Sequence, residues 1–131
     1  MNKTKNTKII AISIIAAFSF IYAQSNYPYP EDVSPEVYKV IYENEEVKML
    51  EATFKPGQSD KFHQHRKAYH YFIEGGKLQL TWPDGSVVYP EPASGAPGHS
   101  PAGSSAHKVK NIGENTVRLV IVEFKNVKQK K

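Results

Sequence analysis

From Glu36 onward, apolar and polar residues alternate with a period near two, broken by short polar or Gly/Pro segments. Such alternation marks half-buried β-strands. The run "VYKVIYENEEVKMLEATF" predicts two strands, Val37–Tyr42 and Val47–Phe54, forming a hairpin around Glu43-Asn44-Glu45. "KPGQSD" (55–60) is a turn, and residues 61–65 and 68–74 read as two further strands. Gly75-Gly76 is a tight turn into the strand "KLQLTW" (77–82), and Pro83-Asp84-Gly85 leads to a short strand at 86–89. Residues 90–103 hold four prolines and three glycines and read as a long loop. Strands at 105–111 and 116–124 flank the turn Gly113-Glu114-Asn115. No helix is predicted, and no repeat of fixed period is present. Many short strands with Gly/Pro punctuation predict an all-β, antiparallel double-sheet jelly-roll barrel, which also hides its edges.

Residues 1–35 stand outside this pattern. Met1–Lys8 carries Lys3, Lys5 and Lys8 and no acid, and Ile9–Ala23 is almost wholly apolar. A basic stretch, an apolar stretch and a small residue predict a secretory signal peptide over 1–23. The apolar run is short for a bilayer span. The chain from Gln24 onward is therefore expected to be periplasmic or secreted, with no stable membrane anchor after cleavage. The absence of cysteine excludes a lipid anchor on an N-terminal cysteine. "QSNYPYPEDVSP" (24–35) reads as an extended arm with no regular element. The domain proper is expected over 36–125, with a basic tail at 126–131.

Charge adds little to this picture. The whole chain carries 17 basic and 13 acidic residues, but the basic count falls to 14 once Lys3, Lys5 and Lys8 are set aside. No basic stripe interleaved with aromatics remains, so nucleic acid is not an expected partner. With no cysteine in an exported chain, there are no disulfides, and the core must hold the fold. Any metal would have to use histidine and oxygen ligands.

Three of the five histidines lie in "KFHQHRKAYHY" (61–71). His63 and His65, at i and i+2 on a strand, point to one face and can share one ion. Equally, the pair can be two solvated histidines on an outer face. His70 is five residues from His65 and falls on the opposite face of a straight strand. It joins the pair only if the chain bends at Arg66-Lys67; otherwise it packs on the inner wall beside Tyr69 or Tyr71. Some forty residues on, "GAPGHSPAGSSAHKVKN" aims His107 from a loop stiffened by proline and glycine.

These two stretches resemble the motifs of the cupin family. Gly57, five residues and His63-Gln64-His65, with Gly75-Gly76 beyond, match the first motif. Gly95, five residues, Pro101-Ala102-Gly103, His107 and Asn111 match the second, with one extra residue before His107. The motifs span 57–111, and the strand pattern extends the likeness over roughly 36–125. The chain is similar to small single-domain cupins associated with β-alanine degradation, which share the His-x-His pair and an "ENIG"-like turn, here "KNIGEN". The glutamate that usually supplies a ligand in the first motif is missing: Ala68, Tyr69 or His70 stands in its place, and Glu74 falls just before the turn. The resemblance implies a three-histidine site of His63, His65 and His107, with His70 a possible fourth ligand. It also implies a homodimer.

Such a site suits a divalent transition metal: iron, zinc, nickel, manganese or copper. Three protein ligands leave positions open, and without a ligand carboxylate the metal keeps its full charge. The resemblance then implies a metal-dependent enzyme on a small anionic or chelating substrate, with a dioxygenase foremost. The alternative is a non-catalytic module that binds metal or a small ligand. Pocket candidates are Tyr69, Tyr71, Trp82 and His99, each of which also fits a role in wall, rim or loop. No catalytic acid or base is assignable.

Overall fold

A computed structural model describes residues 26–101 and 105–125. The expected signal peptide (1–23) and basic tail (126–131) lie outside the described residues. The elements, in chain order, are α1 (Pro30–Val33), β1 (Tyr38–Glu43), β2 (Val47–Phe54), β3 (Ala68–Glu74), β4 (Leu78–Thr81), β5 (Val87–Val88), β6 (Pro97–Ser100), β7 (Lys108–Asn111) and β8 (Val117–Phe124).

All ladders are antiparallel. One sheet has the order β1-β2-β8-β3-β6 and the other β5-β4-β7. The expected double-sheet arrangement holds, but the ladders do not close into a barrel among the described residues. Strand β8 is the centre of the larger sheet, paired with β2 from Val47↔Phe124 to Phe54↔Val117 and with β3 on its other side. Period-two alternation turns Leu50, Ala52 and Phe54 of β2, and Val117, Leu119 and Ile121 of β8, to the inside. They meet Phe72 of the same sheet and Leu78 and Val109 of the smaller one in a single core. Full burial of side chains such as Leu50 and Phe54 contributes roughly 1.5–3 kcal/mol each.

The β1–β2 hairpin turns at Asn44, whose Oδ1 accepts the backbone N–H groups of Glu46 and Val47. Gly75 allows a close approach that no other residue could: a Cβ there would lie 2.1 Å from the Pro92 carbonyl oxygen. This packs the proline-rich loop against the start of β4.

Three expectations are corrected. The arm is not wholly extended: Pro30–Val33 forms one helical turn, opened by Pro30, whose ring suits a helix start. Residues 61–65 are not a strand and make only the isolated bridge His63↔His107. Their remaining backbone groups turn to the arm instead, with Gln64 N–H donating to Pro28 O and Lys61 N–H to Ser34 Oγ. The 90–103 loop contains strand β6, which pairs with β3 through Tyr71↔Pro97 to Ala68↔Ser100. A proline at the start of an edge strand costs no ladder donor, so the sequence pattern hides that strand.

Candidate metal centre

Segment 61–66 crosses from the end of the β2 turn toward β3, and the His63↔His107 bridge ties it to the approach to β7. Paired backbones therefore bring together histidines 44 residues apart in the chain, His63 and His107. His63, His65 and His107 each offer one ligand atom, and these atoms all lie within 4.8 Å of one another. The Nε2 atoms of His63 and His65 are 3.0 Å apart.

The other ring nitrogen of each histidine is engaged. His63 Nδ1 lies 2.8 Å from Lys61 O, His65 Nδ1 2.9 Å from Glu123 Oε1, and His107 Nδ1 3.2 Å from Ser105 O. A carbonyl or an ionised carboxylate can only accept, so each Nδ1 carries the proton and donates it. In a neutral ring that leaves Nε2 as the lone pair. Burial lowers the His63 pKa to about 3, with His65 and His107 adding to the effect. Burial likewise lowers that of His107 to about 4, with His65 adding. Both rings are neutral near pH 7, the form that binds metal. Two nitrogens 3.0 Å apart need a proton or a metal ion between them, since two bare lone pairs at that distance repel. The same separation is what two nitrogens about 2.1 Å from one ion show at a right angle. The donor set therefore fits a divalent transition metal.

Behind the histidines lies a layer the sequence reading missed. Glu123 is fully buried. It accepts from His65 through Oε1 and from Arg66 Nη1 through Oε2 at 2.7 Å. Burial pushes its carboxyl up, but the His65 and Arg66 contacts outweigh that and hold it below its ordinary value. The carboxylate absent from the histidine stretch thus stands one bond behind His65, where it fixes tautomer and ring orientation. Its signal was in β8: Val117, Leu119, Ile121 and Glu123 share the buried phase, and an acid in that phase needs a partner. Asp60 is also buried, accepting from Tyr38 Oη at 2.8 Å and Val109 N–H at 2.6 Å. Burial raises its pKa to about 6 against those hydrogen bonds. Its Oδ2 is 3.5 Å from His63 Nδ1, closing the site from behind.

The arm straps this segment from outside. The Arg66 guanidinium stacks 3.5 Å from the Tyr29 ring centroid, and Tyr27 packs against Phe62. Glu31 pairs with Lys48 at 2.6 Å.

In front of the histidines is a cavity of about 440 Å³, lined by His65 and His107 among others. His70 and His99 also line it. His70 is not among the three converging histidines: it lies on β3 with Ala68 and Phe72, facing the cavity wall. The chain does bend at Arg66-Lys67, but β3 starts there and carries His70 onward. Tyr69 and Tyr71 alternate to the outer face, 52% and 53% exposed, and do not line the cavity. Trp82 sits at the turn after β4, half-buried and likewise outside the lining. Asn111 is a structural residue, its amide donating to Phe54 O and Asn115 O while Oδ1 accepts from Gly113 N–H.

No family model matches the chain, and no curated protein does. Solved structures do. A cupin domain from Bordetella pertussis Tohama I is similar with a TM-score of 0.62 and 28% identity, covering 69% of this chain and 93% of that one. The fold is that of the cupins. A cupin superfamily protein from Desulfitobacterium hafniense DCB-2 (TM-score 0.51, 12% identity, 69% of this chain and 77% of that one) shares it. So does a cupin domain from Schizosaccharomyces pombe (TM-score 0.53, 15% identity, 68% and 60%). On this cupin scaffold the three-histidine group is positioned to hold a metal.

Proposed function

We propose that this chain is an exported cupin that binds one divalent transition metal (iron, zinc, nickel or manganese) through His63, His65 and His107 and presents it to a small anionic or chelating molecule. One observation carries the reading. All three Nδ1 atoms face acceptors, and one ligand atom from each of the three histidines lies within 4.8 Å of the others. When bound, the metal would supply Lewis-acid and, for iron, redox chemistry to a molecule occupying its open positions. The chain's own residues bind and orient: Glu123 and Arg66 hold His65, Asp60 backs His63, and the apolar cavity excludes water.

Within this reading the first possibility is a metal-dependent oxygenase. The second is a non-catalytic binding module. It is favoured by the mostly apolar cavity wall, where histidines and Tyr38 are the only ionisable side chains among the described residues. A homodimer belongs to the same proposal; the edge strand β1, with Val40, Ile41 and Tyr42 exposed, offers a surface for it.

The test is metal analysis of the purified protein beside His63→Ala, His65→Ala and His107→Ala. One equivalent in the parent and under a tenth in each variant is expected. A parent that takes up no metal under any loading condition sinks the proposal. Oxygen uptake with thiols and 1,3-dicarbonyls then separates enzyme from binder.

A further inference from the structure

The cavity in front of the histidines has a composition that narrows its ligand. Phe54, Phe72, Leu78, Leu80, Leu119 and Ile121, with Val109 and three prolines, form most of its wall. Among the described residues no ionisable side chain other than Tyr38 and histidines lines it. The Tyr38 hydroxyl is already committed to Asp60. A ligand carrying an ammonium, or a carboxylate away from the metal, would meet no counter-charge there. An unpaired charge taken out of water into such a wall is strongly disfavoured.

Three polar side chains in the wall, His70, His99 and Ser100, make no hydrogen bond to a described residue, and of the two histidines His70 is half-buried while His99 is exposed. The His70 ring makes an edge contact with Phe72, its centroid 5.5 Å away, and no hydrogen bond to another described residue. Burial lowers its pKa, so it is neutral, with one donor and one acceptor nitrogen. The neighbouring strand makes room for it. A Cβ at Gly98 would stand 2.1 Å from His70 Nε2, so any larger residue there would displace the imidazole.

We propose, building on the metal-centre reading above, that the ligand is a chelator with an apolar body: an anionic oxygen- or sulfur-donor head on the metal, an aromatic or branched aliphatic body against the Phe/Leu/Ile wall, and a hydrogen bond from the body or head to His70. Ligands that would hold an ammonium or a second carboxylate against this wall are excluded. His70 is a ligand-contacting residue and not a metal ligand. The volume of about 440 Å³ falls within the range of small-molecule pockets.

The experiment uses the full protein loaded with cobalt(II), whose visible spectrum responds to an entering ligand. It is titrated with benzohydroxamate, acetohydroxamate and cysteine. The two hydroxamates share a chelating head and differ only in the apolar body. Benzohydroxamate is expected to bind about tenfold or more tightly than acetohydroxamate, since the phenyl ring adds buried apolar surface. Cysteine is expected to bind more weakly than either. Leu80→Trp, which fills the cavity, should erase the benzohydroxamate advantage while cobalt stoichiometry stays at one. His70→Ala should weaken hydroxamate binding about tenfold, again with metal retained. Equal affinity for the two hydroxamates, or tighter binding of cysteine, overturns the inference while leaving the metal centre intact. Loss of cobalt in His70→Ala overturns the role given to that residue. A parent protein that takes up no cobalt refutes the metal centre itself, and this inference with it.

Discussion

Glu123 is the residue whose replacement tests the reasoning most directly. It is fully buried, lies behind the metal site and reaches no cavity ligand. Replacing it with alanine removes the acceptor for His65 Nδ1 at 2.9 Å and for Arg66 Nη1 at 2.7 Å. Breaking a buried charge pair by removing one partner costs about 3–5 kcal/mol. Arg66 is only partly buried, keeps its stack on Tyr29 and lies 3.9 Å from Glu31, so a cost at or just below that range, about 2–3 kcal/mol, is expected. In a domain of this size that corresponds to a melting temperature lower by on the order of 10 °C or more. The effect on metal is separate. A freed His65 ring can rotate or adopt the other tautomer, and loss of such a carboxylate weakens metal binding by about 10–100-fold. Glu123→Gln keeps an acceptor for His65 but no charge for Arg66, so a smaller loss of both properties is expected. The assay is zinc competition against a chromophoric chelator near pH 7.5, with thermal melts of the metal-free proteins alongside. If both variants bind zinc within twofold of the parent while melting lower, Glu123 only stabilises the fold, and the positioning argument fails.

Acidification should destabilise the metal-free protein. The folded-state pKa values of His63, about 3, and His107, about 4, lie below the unfolded value near 6.5, so the unfolded chain takes up protons first. Their contribution to stability is therefore complete above about pH 7 and is lost as pH falls through 6.5 toward 3. Asp60, raised to about 6, acts in the opposite sense between about 6 and 4, but on one group against two. The urea midpoint should fall between pH 7.5 and pH 4, and a midpoint that holds or rises contradicts the buried, neutral histidines. Removing the strap should loosen the site: Tyr29→Ala is expected to lower zinc affinity about 3–10-fold through Arg66 and Glu123 while the metal stoichiometry stays at one; unchanged affinity by the same competition assay would detach the arm from the site. Asn111→Ala should cost about 2–4 kcal/mol by chemical denaturation, because three hydrogen bonds of a fully buried side chain are lost; a cost below about 1 kcal/mol would show that the turn holds without it.

Local pattern was enough for much of the sheet. The strands at 47–54, 68–74 and 117–124 were legible because alternation with period two is dictated by which face is buried, and that is written residue by residue. The His63–His65 pair and its distant partner His107 were legible as well, through spacing and through the likeness to cupin motifs. Elements that depend on partners were not. Segment 61–65 looks like a strand but borrows its hydrogen bonds from an arm that reads as irregular, and β6 hides in a proline-rich loop because an edge strand needs few donors. His70 showed out of phase with His65 in sequence; only the start of β3 decided that it lines the cavity apart from the three-histidine group. The same holds for charge. A lone acid in the apolar phase of β8 announces that a partner must exist, but the partners, His65 and Arg66, lie 58 and 57 residues away. The sequence by itself determined the two-residue rhythm, the metal-ligating residue types and the absence of cysteine. The Nδ1 atoms of His63 and His107 meet carbonyls two residues back in their own segments, but tertiary structure alone decided the partner of His65 Nδ1, because its acceptor, Glu123, is brought in from β8, 58 residues away.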